Sequence, residues 1–383
     1  TGTGTFTGVG NAIGNVITGG LQRDVLLGQG GDDILIGGAG AANELYGGVG
    51  DDTYVLDVGD SIIEGVGAGI DLVQLRGLHA YNLGANVENG MVVGTGDFAM
   101  NGNALDNVLT GGAGRDTLQG GAGNDAMHGG AGIDTVTYIL ATAGVTARLD
   151  VNRATNDGFG GQDTFSGVEN LTGSNLRDTL MGNAGDNVID GAIGNDVLLG
   201  FDGDDTLIGG SGGGFNEMYG GRGDDLYIVD AGDTLIELAG EGTDTVQTTN
   251  GGFTLAANLE NLVYKGPGNF AGVGNAGANV ITGGAGNDTL AGRGGDDTLI
   301  GGAGADLALL QGVRADYTIT AVAGGWRVTD AVAGRDGIDT LSGIESLRFS
   351  DGTVLVLGQQ PAAAGPEVLP LPAAGGDAER PVR

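Results

Sequence analysis

The chain has no cysteine in its 383 residues, so neither disulfides nor a thiolate metal site can hold it, and its redox compartment is left open. Aromatic residues make up only 5%, too few for a large interdigitated core. Lys265 is the sole lysine and arginine supplies the other 14 of 15 basic residues, which makes nucleic acid and anionic lipid poor partners. No run of about 18 apolar residues exists, so no transmembrane helix is expected. Proline is scarce until the end: Pro361, Pro366, Pro370, Pro372 and Pro381 all follow residue 357, which predicts a disordered Pro/Ala-rich tail over 358–383. The chain begins at Thr1 with neither Met nor a signal peptide, and this reads as the cut edge of a longer protein.

What is abundant is glycine and acid. Glycine supplies 85 residues, and 49 acidic residues against 15 basic ones give a formal charge of -34. Ordering so much glycine is entropically expensive, and few aromatics are present to offset it. Of the acids only 11 are Glu, leaving 38 Asp. Short carboxylates close to the backbone suit turns and hard-cation sites, whereas a solvated acidic face is more often Glu-rich.

The glycine and aspartate share one phase. From Gly283 the chain reads GGAGNDTLA, then GRGGDDTLI, then GGAGADLAL up to Leu309, a period of nine without gaps. Each unit is a glycine turn with Asp in sixth place and an apolar residue in eighth. Strands of three residues between six-residue turns follow from that spacing. Four such arrays occur, at about 10–58, 102–137, 173–229 and 274–309, joined by β-branched connectors such as Asp71-Leu72-Val73-Gln74-Leu75 and Asp244-Thr245-Val246-Gln247. The sixth-place carboxylates are Asp24, Asp33 and Asp52; Asp116, Asp125 and Asp134; Asp178, Asp196, Asp205 and Asp225; and Asp288, Asp297 and Asp306. Sixth place is an amide at Asn15, Asn107, Asn187 and Asn279. The inward apolar residues include Leu26, Leu35, Leu118, Leu198, Leu207, Leu290 and Leu299.

A longer period overlies the first. Asn15 recurs as Asn187, Asp24 as Asp196, Asp60 as Asp233 and Asp134 as Asp306, at offsets of 172 or 173 residues. The irregular unit Asn43-Glu44-Leu45-Tyr46 returns as Asn216-Glu217-Met218-Tyr219. Two super-repeats are expected, 1–172 and 173–357, the second ending in a β segment around Trp326.

These residues resemble the RTX, or hemolysin-type, nonapeptide GGxGxDxUx, in which U is a large apolar residue. The resemblance implies an all-β, right-handed parallel β-roll, or β-solenoid, in which two nonapeptides make one coil. It implies calcium bound between stacked turns by the sixth-place aspartates named above and by turn carbonyls. It also implies an extracellular, secreted protein, type I secretion machinery as a partner, and folding driven by calcium outside the cell. The elementary chemistry agrees, because calcium takes six to eight oxygens and accepts carbonyls as readily as carboxylates.

No catalytic centre is expected. Gly209-Gly210-Ser211-Gly212-Gly213 has the nucleophile-elbow spacing but lies in a register-breaking insertion. The only histidines are His79, followed by Ala80, and His128, followed by Gly129, so the HExxH zinc motif is absent. Two roles remain open at this point. One is a non-catalytic calcium-stabilised region of a toxin, adhesin or surface protein; the other is the RTX module of a secreted enzyme such as a serralysin-like metalloprotease, a lipase or an alginate epimerase.

Overall fold

A nine-residue unit with one apolar residue in a fixed place can bury only that side chain, so each unit must stack on another to form a core. The computed structural model describes residues 4–39, 41–210, 212 and 214–358. The Pro/Ala-rich tail beyond Gly358, like Ser211, lies outside the described residues. The protein is an all-β parallel solenoid, and its one helical element among the described residues is the 3-10 turn Arg314–Asp316. Two compact units are present, Thr1–Pro267 and Gly268–Arg383. The super-repeats of the sequence change over at a different place, after residue 172.

In the first unit, strand Val16–Thr18 lies parallel to Ile34–Ile36, which pairs with Thr53–Leu56, and that strand pairs with Leu72–Leu75. Partners are two nonapeptides apart: Val108 opposes Ala126 and Leu109 opposes Met127. Stacking at this step places eighth-place residues above one another. Leu26, Leu35, Leu118, Leu198, Leu207, Leu290 and Leu299 are each 0% exposed, and burying a leucine contributes roughly 1.5–3 kcal/mol. Their seventh- and ninth-place neighbours, apart from buried Gln119, stay partly exposed, as a period of two requires.

Strand length departs from the uniform three residues that the spacing predicts. Val25–Gly30, Glu44–Val49, Val108–Ala113 and Ala126–Ala131 have six residues, because pairing continues through the glycines. Gln29 thus opposes Gly48, and Gly112 opposes Gly130. The first two of these strands belong to the four-stranded sheet and the last two to the fourteen-stranded sheet, so turn backbone joins the ladder in both.

The connectors hold the antiparallel pairs. Thr146–Arg148 and Arg153–Asn156 form a hairpin that continues antiparallel onto Asp163–Ser166. Asp163–Ser166 lies parallel on Ala126–Ala131, while Thr146–Arg148 lies parallel on Thr179–Met181. On the other face Asn170–Thr172 joins Thr135–Thr137 directly to Val188–Asp190. The second unit has a matching arrangement at its end: Tyr317–Val322 and Gly325–Asp330 pair antiparallel, then join Ile338–Ser342, which lies parallel on Thr298–Ala303.

Candidate metal centre

Stacked turns bring sixth-place residues into columns, and hydrogen bonds fix one oxygen of each. The backbone N–H of Asn15 donates to Asp33 Oδ1 at 2.6 Å, Asp33 N–H to Asp52 Oδ1 at 2.7 Å and Asp52 N–H to Asp71 Oδ1 at 2.8 Å. This ladder ends where Asp71 N–H donates to Glu88 Oε2 at 2.8 Å. The same pattern carries Asp116 to Asp134 and Glu169, and Asp205 to Asp225, Asp244 and Glu260. In the second unit it carries Asn279 to Asp297 and Asp339, and Asp288 to Asp306 and Glu345.

The second oxygen is left over. Oδ2 of Asp33, Asp52, Asp116, Asp125, Asp134, Asp196, Asp205, Asp225, Asp288, Asp297 and Asp306 is buried and has no hydrogen-bond partner. A buried carboxylate oxygen without a donor costs free energy that folded proteins rarely leave uncompensated. It faces a cradle that glycine keeps open. A Cβ added at Gly28 would sit 2.2 Å from Asp33 Oδ2 and 2.5 Å from the carbonyl oxygen of Gly47, one coil on. At Gly283 the same atom would meet Asp288 Oδ2 at 2.3 Å and Gly301 O at 2.8 Å. Both cradles therefore offer a carboxylate and a backbone carbonyl oxygen, donors that suit a hard divalent cation.

Two of the thirteen candidate aspartates are engaged otherwise. Asp24 Oδ2 accepts the Gly20 N–H at 2.6 Å, and Asp178 Oδ2 accepts the Ser174 N–H at 2.6 Å. Their turns read GGLQRD and GSNLRD, without glycine in fourth place. The amide turns close in the same way, each sixth-place Asn Oδ1 taking an N–H four residues back: Asn11 to Asn15 and Asn103 to Asn107 at 2.8 Å, and Asn183 to Asn187 at 2.7 Å. In a turn closed in this way the side-chain oxygen is taken by the turn's own N–H and is not left over for a ligand.

Burial governs the acidity of the open turns. Removal from water pushes the Asp196, Asp205 and Asp225 carboxyls up to about 7 and those of Asp52 and Asp297 up to about 6, against the backbone N–H bonds that pull them down. Without a cation the ionised form is the unfavourable one there.

The ladders also include acids outside the four arrays. Asp71, Asp163, Asp244 and Asp339 each accept a sixth-place N–H, and burial raises their carboxyls to between about 6 and about 8. All four stand in connectors, yet each holds sixth place in a nonapeptide frame: VGAGID up to Asp71, GFGGQD up to Asp163, AGEGTD up to Asp244 and GRDGID up to Asp339. The signal they share is fourth-place glycine two residues before the Asp, at Gly69, Gly161, Gly242 and Gly337, followed by an alternating β segment as in Asp163-Thr164-Phe165 and Asp339-Thr340-Leu341. His79 is exposed, and partly exposed His128 has Nδ1 2.6 Å from Ser166 Oγ on the outer face.

A protein-family model described as the RTX calcium-binding nonapeptide repeat (4 copies) matches residues 9–42, 41–63, 101–136, 172–207, 181–215 and 273–308. Among curated proteins, the endo-1,3-1,4-beta-glycanase ExsH of Rhizobium meliloti (strain 1021) is 48% identical over 67 residues, 17% of this chain and 14% of that protein. Among solved structures, the extracellular lipase LipA from Serratia marcescens is similar at 19% identity and a TM-score of 0.21, over 76% of this chain and 45% of the lipase. A Ca2+-dependent, beta-helical antifreeze protein from an Antarctic bacterium is similar at 17% identity and a TM-score of 0.23, over 92% of this chain and 94% of that one. The matches thus span under half of the lipase and a small part of the glycanase.

Proposed function

Because the chain belongs to the RTX calcium-binding nonapeptide repeat proteins, we propose that it serves as a non-catalytic, calcium-folded β-roll of a secreted protein. The observation that carries this reading is the column of buried Oδ2 atoms without partners, those of Asp33, Asp116, Asp134, Asp205, Asp288 and Asp306 beside a glycine carbonyl of the next coil. Calcium supplies positive charge to oxygens that otherwise repel one another. The chain's own residues do the rest: Oδ1 ties each coil to the one before, Oδ2 stays free for the ion, and first-place glycine leaves room for it. With the ion removed, the stacked carboxylates confront one another across roughly one strand spacing, about 4.8 Å. Extracellular calcium modules bind at about 10⁻⁴–10⁻³ M, which sets the switch between the cytosol and the outside. Export unfolded through type I secretion machinery, followed by folding outside the cell, is consistent with that difference.

The test is circular dichroism and calorimetry on the full chain, first in EDTA and then through a calcium titration. We expect a gain of β structure coupled to the binding of several ions per chain. Absence of binding up to about ten times the usual extracellular range would overturn the reading.

The 48% identity to a stretch of a glycanase favours a second reading, in which the same roll is part of a larger secreted enzyme. Under either reading the chain itself should hydrolyse no ester, peptide or glycan. Turnover by the purified chain that withstands further purification would refute its non-catalytic role.

A further inference from the structure

At the last coil of the first and third arrays the cradle is built differently. In regular turns the space before first-place glycine faces Asp Oδ2 and the glycine carbonyl of the next coil, as at Gly28 and Gly200. At Gly47 a Cβ would instead meet Asp52 Oδ2 at 2.0 Å and the Tyr54 hydroxyl at 2.2 Å. At Gly220 it would meet Asp225 Oδ2 at 2.1 Å, the Tyr227 hydroxyl at 2.5 Å and Glu237 Oε1 at 2.6 Å. The glycine that should follow one coil on is Val66 in one case and Ala239 in the other, and the glutamate enters from two residues earlier.

We propose that Asp52, Glu64 and Asp71 form one divalent-cation site, and Asp225, Glu237 and Asp244 a second, each more acidic than the nonapeptide sites. The proposal rests on the calcium reading above and deepens it. In each trio the ligand atoms all lie within 4.8 Å of one another. Oδ2 of Asp52 and Asp71, and Oδ2 of Asp225 with Oε2 of Glu237, are buried without hydrogen-bond partners. Those four residues are 1%, 0%, 1% and 7% exposed, so the free oxygens point into the site and away from water. Tyr54 and Tyr227 are positioning residues. Tyr54 accepts the Gly47 N–H at 2.9 Å and donates to Glu64; Tyr227 accepts the Gly220 N–H at 2.5 Å and donates to Glu237. A carboxylate in place of a carbonyl adds a full negative charge, and calcium affinity rises with ligand charge count. These two sites fill first.

The test compares the full chain with E64Q/E237Q and with the control D288N/D306N in calorimetric calcium titrations. The E64Q/E237Q chain should lose the two tightest ions, with that phase weakened by roughly tenfold or more, while the control keeps them. An E64Q/E237Q titration like that of the unmodified chain overturns this proposal alone, whereas an unmodified chain that binds no calcium takes the calcium reading down with it. A second measurement does not depend on the glutamine variant folding. The first two equivalents of Tb³⁺ should show emission excited through tyrosine that is lost in Y54F/Y227F, where the ring still packs; unchanged emission in Y54F/Y227F overturns the sites.

Discussion

An aspartate in sixth place does two jobs with two oxygens, and the structure separates them. Asp205 Oδ1 takes the Asn187 N–H at 2.7 Å while its Oδ2 has no partner. The substitution D205N keeps the acceptor and replaces only the free oxygen. It should remove bound calcium and raise the calcium midpoint of folding on the order of tenfold, since an interaction with a charged group is worth about 1.5–3 kcal/mol. Asp178 uses both oxygens, taking Val145 N–H at 2.6 Å on one and Ser174 N–H at 2.6 Å on the other. D178N should therefore cost about 1–3 kcal/mol of stability at saturating calcium, by facing an amide against a buried donor, and leave the ion count unchanged. Calorimetry for the count and thermal unfolding for the stability separate the two; equal loss of ions in both variants would show that turn closure does not decide which aspartates bind. Gly283 offers a third check, because a methyl there lies against Asp288 Oδ2 and Gly301 O and should displace the ion as D288N does.

At the scale of the element, coil and connector are held by different chemistry. The end of the second unit replaces metal with an internal cation: Arg335 donates twice to Asp330, at 2.6 Å each, and once to Asp316 at 2.9 Å. Its guanidinium also lies 5.2 Å from the centre of the Tyr317 ring. Because the Asp330 side chain is 0% exposed, R335A strands a buried carboxylate and should destabilise the hairpin by about 3 kcal/mol. Thermal unfolding in saturating calcium should show this with no ion lost; an R335A chain as stable as the original would mean that the hairpin does not depend on the pair. The contrast explains what could be read from the sequence. The nonapeptide phase gives the parallel coil and its core leucines directly, since one apolar residue per nine has a single place to go. The six-residue strands were not legible, because pairing through turn residues such as Gln29-Gly30 depends on the neighbouring coil and not on side-chain pattern. Among the connector acids, Asp71 and Asp244 keep sixth place in frames whose first glycine is replaced by Val66 and Ala239, whereas Glu64 and Glu237 lie outside the frame and only folding brings them beside Asp52 and Asp225. In Asp24 and Asp178 the carboxylate is visible in the sequence, but its orientation is set by the residues in the turn, Gln22 and Leu176 in place of glycine.

For the whole molecule, a formal charge of -34 and columns of buried carboxyls make protons and calcium rivals for the same oxygens. Burial places Asp71, Asp125, Asp196, Asp205, Asp225 and Asp244 near 7 and Asp339 near 8 in the cation-free coil, against an ordinary 3.8. Folded-state values raised in this direction mean that the roll binds more protons than the unfolded chain between about pH 4 and pH 8. The stabilisation from protonation is thus fully present below about pH 4 and is lost as pH rises through 7 to 8. In EDTA, β content should therefore be higher near pH 5 than near pH 8, the reverse of a protein stabilised by ionised, salt-bridged carboxylates. Calcium requires the deprotonated form and its binding releases protons. Because the unfolded chain's carboxyls are already ionised above about pH 5, only the folded coil loses protons there, and the calcium midpoint of folding should rise as pH rises from about 5.5 to 7.5 and level off above the highest of the raised values, near 8. Circular dichroism across that range, with and without calcium, checks both halves. A cation-free chain whose β content is the same at both pH values, or a calcium midpoint that ignores pH, would show that the buried carboxyls neither hold protons nor exchange them for the ion.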